Sequence, residues 1–537
     1  MLPFDHHSSK FASHRNLILA KNGMVATGST LASSAGLEIL RKGGNAVDAA
    51  IATASALTVV EPTANGLGSD CFAIVWINNK IHGLNASGYS PKNLTLEKIL
   101  EKYGDIKEMP HFDWTPIMVP GAIRGWEALS QRFGRLSLSE CLQPAIRLAT
   151  EGYPVGSTLA AGWRASVTRY LEKEENHPRF DGWKQTFLFD GKAPVFGDIV
   201  RLPDHAKTLW KIAQYGADVF YKGEIADCIV KESSKFGGFF DKSDFEEYSV
   251  EWFEPISTDY RGYTVLEPPA NSQGAITLMA LNILKQFELT KHVHVDTVHK
   301  QIESIKMAFA DGLEHISDPR LTDLSYLISD EYGVVRAKQV RRYAQEYTPL
   351  RHHQSGTVYL ATADNEGNMV SFIQSSYTGF GSGMVVCGTG IALNNRGAQF
   401  SLDKNHINVV APRKKTLHTI IPGFLMKDGN AIGPFGIMGG FMQPQAHLQV
   451  LSHMIDFHLN PQAALDVARW QWIEGKKIWV EESFDKRLKK QLIRRGHDVE
   501  VSNQVGSFGR GQVIVRLENG TLVGGCESRT DSNIACY

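Results

Sequence analysis

Residues 355–383 read SGTVYLATADNEGNMVSFIQSSYTGFGSG, and the rest of the chain is arranged around them. From Thr357 the run Thr-Val-Tyr-Leu-Ala-Thr-Ala-Asp is rich in β-branched and aromatic residues, which predicts a strand. Asn365, Glu366, Gly367 and Asn368 carry turn chemistry. Residues 369–375 then predict the returning strand of a hairpin. Gly379, Gly381 and Gly383 follow too closely for a regular element. Thr357 stands at the mouth of the hairpin, directly after Gly356. Cleavage of the bond between them would give Thr357 a free α-amine beside its own hydroxyl. An amine with an unperturbed pKa of about 7.7–8.0 is a usable base near neutral pH. A threonine hydroxyl next to such an amine is an activated nucleophile. The structural alternative is plain: threonine opens many strands without doing chemistry.

Composition removes several classes. A chain of 537 residues, 43% hydrophobic and 21% charged, is globular and long enough to bury a sizeable core. Lys+Arg total 56 against 57 Asp+Glu, so no basic excess points to nucleic acid or an anionic membrane. The six cysteines are scattered without a Cys-x-x-Cys pair, which predicts free thiols and no cysteine-based zinc site. The histidines lack a His-Glu-x-x-His motif, so no metal is expected. At the N-terminus Asp5, His6, His7 and Ser8 interrupt any secretory pattern, and no run is apolar enough to span a bilayer. A cytoplasmic protein with no membrane partner is the expectation.

Along the chain, residues 24–28 predict a buried strand and residues 31–42 and 46–60 predict helices, the second apolar on nearly every face. A glycine-punctuated loop over 61–70 leads into strand, turn and strand over 71–81. Helices are predicted over 138–149, 275–287 and 298–314, a helical supporting layer over about 160–253, and a strand over 263–269. Residues 321–351 read as a basic, exposed tail before the hairpin, continued by His352, His353 and Gln354. A second hairpin turns at 427–430, and Gly439-Gly440 follows it. Paired glycines let backbone N–H groups approach a ligand, although a tight turn explains them equally. Arg469-Trp470 reads as helix-like, and Asp531 near the C-terminus receives no role. Strands followed by buried helices predict helices packed on stacked sheets. Periodicity does not choose among the α/β layer folds.

The motif pattern narrows this. Thr357, then Asp364-x-x-Gly367-Asn368-x-Val370-Ser371, Phe380-Gly381-Ser382-Gly383, Gly390-Ile391 and Leu393-Asn394-Asn395 resemble the cleavage site and small-subunit start of the γ-glutamyltransferase family. Similar segments run from Gly23 to the C-terminus. The resemblance implies an α/β layered fold, the αββα sandwich of N-terminal-nucleophile hydrolases. It implies a proenzyme cut between Gly356 and Thr357 into a large subunit, 1–356, and a small subunit, 357–537, forming one intertwined domain. It implies Thr357 as nucleophile, Ser375 as the hydroxyl bonded to it, and Gly439 and Gly440 as the oxyanion hole. Tyr377, Asn395, Arg396, Gln399, His418 and Thr419 fall at positions implied to bind substrate. No cofactor is implied. The partners are a small-molecule amide and the two subunits of the precursor, and a homodimer of processed heterodimers stays open.

The chain also departs from the family. The segment expected to hold a carboxylate-binding arginine is Asn-Ala-Ser-Gly-Tyr-Ser-Pro, residues 85–91, with none. Gln399 stands where an acidic residue binds the α-amine, Tyr377 where many members carry asparagine, and Leu417-His418-Thr419 replaces a serine-rich pair. Arg396 adds a cation. The sequence is closer to the branch that includes oxamate amidohydrolase. The implied activity is a glutathione hydrolase-like amide hydrolase or acyltransferase working through acyl-Thr357, with an oxamate-like amidohydrolase or another acylase as the alternative. An uncleaved binding protein is the alternative of another class, and the joint presence of Thr357, Ser375 and Gly439-Gly440 argues against it. No Gly-x-Ser-x-Gly elbow supports a serine α/β-hydrolase.

Overall fold

In the computed structural model, which describes residues 15–171, 177–347 and 356–537, the strand Gly356–Asp364 is buried along its whole length. Its side chains alternate between two cores, as the pleat requires. Val358 and Leu360 pack with helices, whereas Tyr359, Ala361 and Ala363 pack into a core shared by two sheets. The returning strand Met369–Tyr377 does the same, with Val370 and Phe372 on the helical side and Met369 and Ile373 between the sheets. Thr357 and Ser375 continue the odd-numbered series, so both point into the layer between the sheets.

Each sheet has seven strands, and all their pairings are antiparallel. The first runs Asn533–Cys536, Gly23–Thr27, Gly356–Asp364, Met369–Tyr377, Asp70–Ile77, Lys80–Ala86 and Glu251–Phe253. The second runs Ile18–Ala20, Leu522–Cys526, Arg510–Arg516, Asn430–Met438, Gly423–Lys427, Tyr263–Glu267 and Ile256–Tyr260. They approach closely at Gly436, where a Cβ would lie 2.3 Å from the Tyr359 ring. Thr30–Arg41 and Ala46–Val60 cover the first sheet, with Leu138–Glu151 packed outside on Ala46–Val60; Gly274–Leu284 and Met442–Ile455 cover the second, with Val295–His315 packed on both of them. This is the expected αββα sandwich. Ala46–Val60 is buried at every residue, as its apolar circumference predicts, and starts at an Asn45–Asp48 capping box. Residues before and after the 356–357 bond contribute strands to both sheets: Gly23–Thr27 pairs with Gly356–Asp364, and Tyr263–Glu267 with Gly423–Lys427.

Two local expectations are corrected. Much of the supposed exposed tail is structured. Asp330–Ala337 is a helix, Leu324, Leu327 and Tyr332 enter a core, and Arg336 pairs with Asp311 through Nε at 2.7 Å. Apolar residues spaced among the basic ones set this outcome. Residues 348–355, with His352, His353 and Gln354, lie outside the described residues. Arg469 is not helical: it follows the helix Pro461–Asp466, and Trp470 opens the strand Trp470–Glu474. The turn at Gly475, φ +46°, returns that strand to Lys477–Val480.

Candidate active site

The pairing of the two central strands slips at Gly356-Thr357. Gly356 lies opposite Tyr377 and Thr357 opposite Ser375, so Ser376 is the extra residue of a bulge. Tyr377 adopts φ +78°, a left-handed conformation that a bulky residue holds only when its surroundings enforce it. The bulge turns the Ser375 hydroxyl toward the bond before Thr357. Ser375 Oγ donates to the Gly356 carbonyl at 2.7 Å, and Thr357 Oγ1 donates to Ser375 Oγ at 3.0 Å. The Tyr377 N–H and Arg396 Nη2 also point at Ser375 Oγ, at 2.9 and 3.1 Å. Thr357 and Ser375 are fully buried. A hydroxyl surrounded by these donors has its own proton directed at the Gly356 carbonyl, which it polarises.

The remaining candidate binding residues form a packed layer behind this centre. The Arg396 guanidinium covers the Tyr377 ring at 4.6 Å, and Nη1 donates to Thr419 Oγ1 at 2.9 Å. Gln399 Nε2 donates to the Tyr377 hydroxyl. Asn395 fastens the loop after the bulge, accepting from Thr378 N at 3.2 Å and donating to Thr378 Oγ1 at 2.9 Å. His418 Nε2 lies 3.1 Å from Asp70 Oδ2. Burial and the nearby Arg396 and Lys415 cations hold His418 well below its ordinary pKa, so it is neutral. Its Nδ1 accepts from Ile420 N at 3.4 Å, which places its proton on Nε2, directed at Asp70.

Asp70 was not singled out from the sequence. Its carboxylate lies 4.0 Å from Arg396 Nε and accepts from Gly88 N at 3.3 Å. Burial raises its pKa to about 7, with Arg396 the main opposing influence. Arg396, lowered to about 10 chiefly by burial, remains charged at neutral pH. Asp70 opens the strand opposite Met369–Tyr377 and pairs with Ser375 in register. A glycine-punctuated loop followed by a strand start was the one available signal for it. Gln273 was also missed: its Nε2 ties Thr419 O at 2.6 Å to Gly440 O at 2.9 Å. At the place of the missing arginine, Asn85 Oδ1 accepts from Ser87 Oγ at 2.6 Å and stands 3.4 Å from buried Lys415 Nζ.

Gly439 and Gly440 end the strand Asn430–Met438 with φ +144° and +61°, conformations glycine adopts without strain. Among the described residues, no backbone acceptor takes either N–H. Gly439, Gly356 and Gly379 line one side of a cavity of about 630 Å³. Tyr377, Asn395, Arg396, Gln399, His418 and Thr419 are not among its lining residues. Thr357, Ser375 and Gly440 do not line it either, so among the candidate residues the cavity is met only at Gly356 and Gly439, while Arg396 and Tyr377 hold Ser375 from behind.

The gamma-glutamyltranspeptidase family model matches residues 32–537. A glutathione hydrolase-like proenzyme of Bacillus subtilis is 36% identical, covering 96% of this chain and 98% of its own. The oxamate amidohydrolase proenzyme of Klebsiella pneumoniae is 32% identical, over 99% of this chain and 100% of its own. Among solved structures, a cephalosporin acylase from Bacillus halodurans superposes with a TM-score of 0.97 at 51% identity, covering 100% of this chain and 99% of its own.

Proposed function

Because this chain belongs to the gamma-glutamyltranspeptidase family, and is an autoprocessing amide hydrolase or acyltransferase, we propose that Thr357 is its nucleophile twice over. In the precursor, Thr357 Oγ1 adds to the Gly356 carbonyl carbon. Ser375 Oγ–H stabilises the oxygen as it gains charge. The C–N bond breaks, the nitrogen takes up the proton lost by the hydroxyl, and Gly356 is left as an ester on Thr357. Water hydrolyses that ester, giving the Gly356 carboxylate and a Thr357 with free amine and hydroxyl. In the processed enzyme the amine accepts the Oγ1 proton as Oγ1 adds to a substrate amide. The oxyanion faces the free N–H groups of Gly439 and Gly440. The departing amine takes the proton, and water or a second amine then removes the acyl group.

The substrate reading follows from what surrounds the nucleophile. Arg396 is occupied by Ser375, Thr419 and the Asp70 carboxylate, and Gln399 by Tyr377. Neither is a free clamp for a γ-glutamyl head, so such donors are turned over weakly, through a high KM. The cavity of about 630 Å³ accommodates a larger acyl group. An acylase acting on amides bulkier than oxamate or γ-glutamyl compounds is the best reading, and the likeness to a cephalosporin acylase supports it. A reducing, cytoplasmic setting fits six cysteines that are all free.

The observation that carries the reading is the Ser375 hydroxyl held between Thr357 Oγ1 and the Gly356 carbonyl. A denaturing gel with N-terminal sequencing tests it. The expected result is two fragments, the smaller beginning at Thr357, and a single inactive chain for Thr357→Ala. A small fragment starting elsewhere overturns the assignment. Released amine measured across γ-glutamyl, oxamate and bulkier acyl amides tests the substrate reading, and efficient glutathione turnover at micromolar KM refutes it.

A further inference from the structure

The strand that follows Thr419 and the strand that leads to Gly439-Gly440 part at their shared end. Gly423–Lys427 and Asn430–Met438 pair as far as Gly423 opposite Phe435, and the ladder stops there. Continued in that register, Ile421 would face Ile437. Each gives its N–H to a side chain instead: Ile421 N to Gln443 Oε1 at 3.0 Å, and Ile437 N to His447 Nε2 at 3.2 Å. Gln443 and His447 are four residues apart on the helix Met442–Ile455, so they share one face. His447 accepts at Nε2, which leaves its proton on Nδ1, donated to Glu267 Oε1 at 2.7 Å. The helix thus drives a polar wedge between the two strands.

Beyond the wedge, Gln273 links the two lips. Its Nε2 donates to Thr419 O at 2.6 Å and to Gly440 O at 2.9 Å. Its backbone is locked to the first lip, since Gln273 N donates to His418 O at 3.0 Å and the Ser272 hydroxyl to Ile420 O at 2.8 Å. Each lip serves one half of the reaction centre. On the first, Thr419 Oγ1 accepts from Arg396 Nη1, and Arg396 Nη2 points at Ser375 Oγ. On the second, the Gly440 carbonyl is held from two sides, by Gln273 and by Gln443 N at 3.1 Å, while Gly439 O accepts from Met442 N at 3.0 Å. Gln273 Oε1 and Gln443 Nε2 are buried without a hydrogen-bond partner. Unpaired buried polar atoms cost stability, and such violations gather at functional sites. An apolar side chain would fill the place of Gln273 without that cost, but it could not hold both lips.

Resting on the reading of Thr357 given above, we propose that Gln273 is a positioning residue for both acyl transfers. Its single amide nitrogen fixes the span between the Ser375 hydroxyl, which serves the Gly356 carbonyl, and the Gly439-Gly440 N–H groups, which serve the carbonyl of the substrate. It acts on self-cleavage through Thr419 and Arg396, and on turnover through Gly440. Gln273 lies before residue 356 and both lips lie after it, so the tie also joins the two pieces of the processed enzyme.

Gln273→Met keeps the length of the side chain and loses the donor. At a temperature where circular dichroism shows it folded, it should be cut about tenfold or more slowly than wild type. Once cut, its kcat on the anilide that wild type turns over fastest should fall about tenfold or more, with KM within about threefold. Gln273→Asn, a methylene too short to reach both carbonyls, should show the same pair of losses. In Gln273→Glu an ionised carboxylate faces two carbonyls, whereas a protonated one donates to one of them. The ratio of its kcat to that of wild type should therefore rise as pH is lowered, which a merely structural role would not produce. Thr419→Val removes Oγ1 alone, and adding Gln273→Met to it should slow self-cleavage little further, because both changes cut one link. Wild-type rates of cleavage and turnover in folded variants, a loss wholly in KM, a flat pH ratio or multiplying effects in the double variant overturn this inference alone. A wild-type chain that stays uncut or hydrolyses no amide overturns it together with the reading beneath it.

Discussion

Ser375→Ala separates the chemistry from the fold. The hydroxyl donates 2.7 Å to the Gly356 carbonyl and accepts from Thr357 Oγ1 at 3.0 Å, so its loss strikes self-cleavage first. A donor aimed at a developing oxyanion is worth about 2.7–4 kcal/mol, a slowing of roughly 10²–10³-fold. The substitution also strips an acceptor from the Tyr377 N–H and from Arg396 Nη2, both buried. Unsatisfied buried donors cost about 1–3 kcal/mol each, so the melting temperature should fall as well. The assay is the fraction of small fragment against time after synthesis, by gel and intact mass, with circular dichroism confirming the fold. Wild type should be cut by the time it is purified, while the variant accumulates as precursor. A folded Ser375→Ala protein cut within a few-fold of the wild-type rate would refute the argument, because no other described side chain donates to that carbonyl.

Asp70→Asn should lower the melting temperature by several degrees and slow self-cleavage, because Arg396 loses the carboxylate 4.0 Å away and with it the anchor that aims Nη2 at Ser375; unchanged cleavage refutes the anchoring role. Gly439→Ala should cut kcat while leaving the precursor folded, since φ is +144° and a Cβ would meet Gly509 Cα at 3.2 Å; wild-type kcat would argue against an oxyanion role. Glu61 is raised to about 7, so the folded state holds its proton more tightly than the unfolded chain does. That contribution is complete below about pH 4 and is lost as pH rises through 7, so Glu61→Gln should flatten the fall in melting temperature between pH 5 and about pH 8. Thiol titration of unreduced, unfolded protein should find all six cysteines reactive, and a lower count would contradict free thiols.

The sequence made the central hairpin legible because its signals are local. β-branched alternation, the Asn-Glu-Gly-Asn turn and Gly367 at φ +85° sit within one stretch. Ala46–Val60 was legible to the residue because its apolar circumference stops at Glu61-Pro62. Arg396 was visible as an unusual cation, but its partner was not: Asp70 lies far back in the chain and meets it only through strand pairing. Glu61 and Arg510 are farther apart still, and nothing in either neighbourhood marks them as facing one cavity. Arg469 was misread because residues 461–473 alternate helix and strand signals over a few residues, and only the turn at Gly475 decides for the strand.

The strand order of the two sheets bears on reversibility. Strands from before and after residue 356 are laced together in both. While the chain is continuous, bringing them together is an intramolecular search whose cost grows only slowly with the length of the connecting loop. With the 356–357 bond cut as proposed, neither piece could complete either sheet alone. Regaining the fold then requires two molecules to meet, and its rate depends on their concentration. The precursor can refold at any dilution, but the cut protein, once melted, is in practice melted for good. Its working lifetime is set by the height of the unfolding barrier rather than by the depth of the folded well.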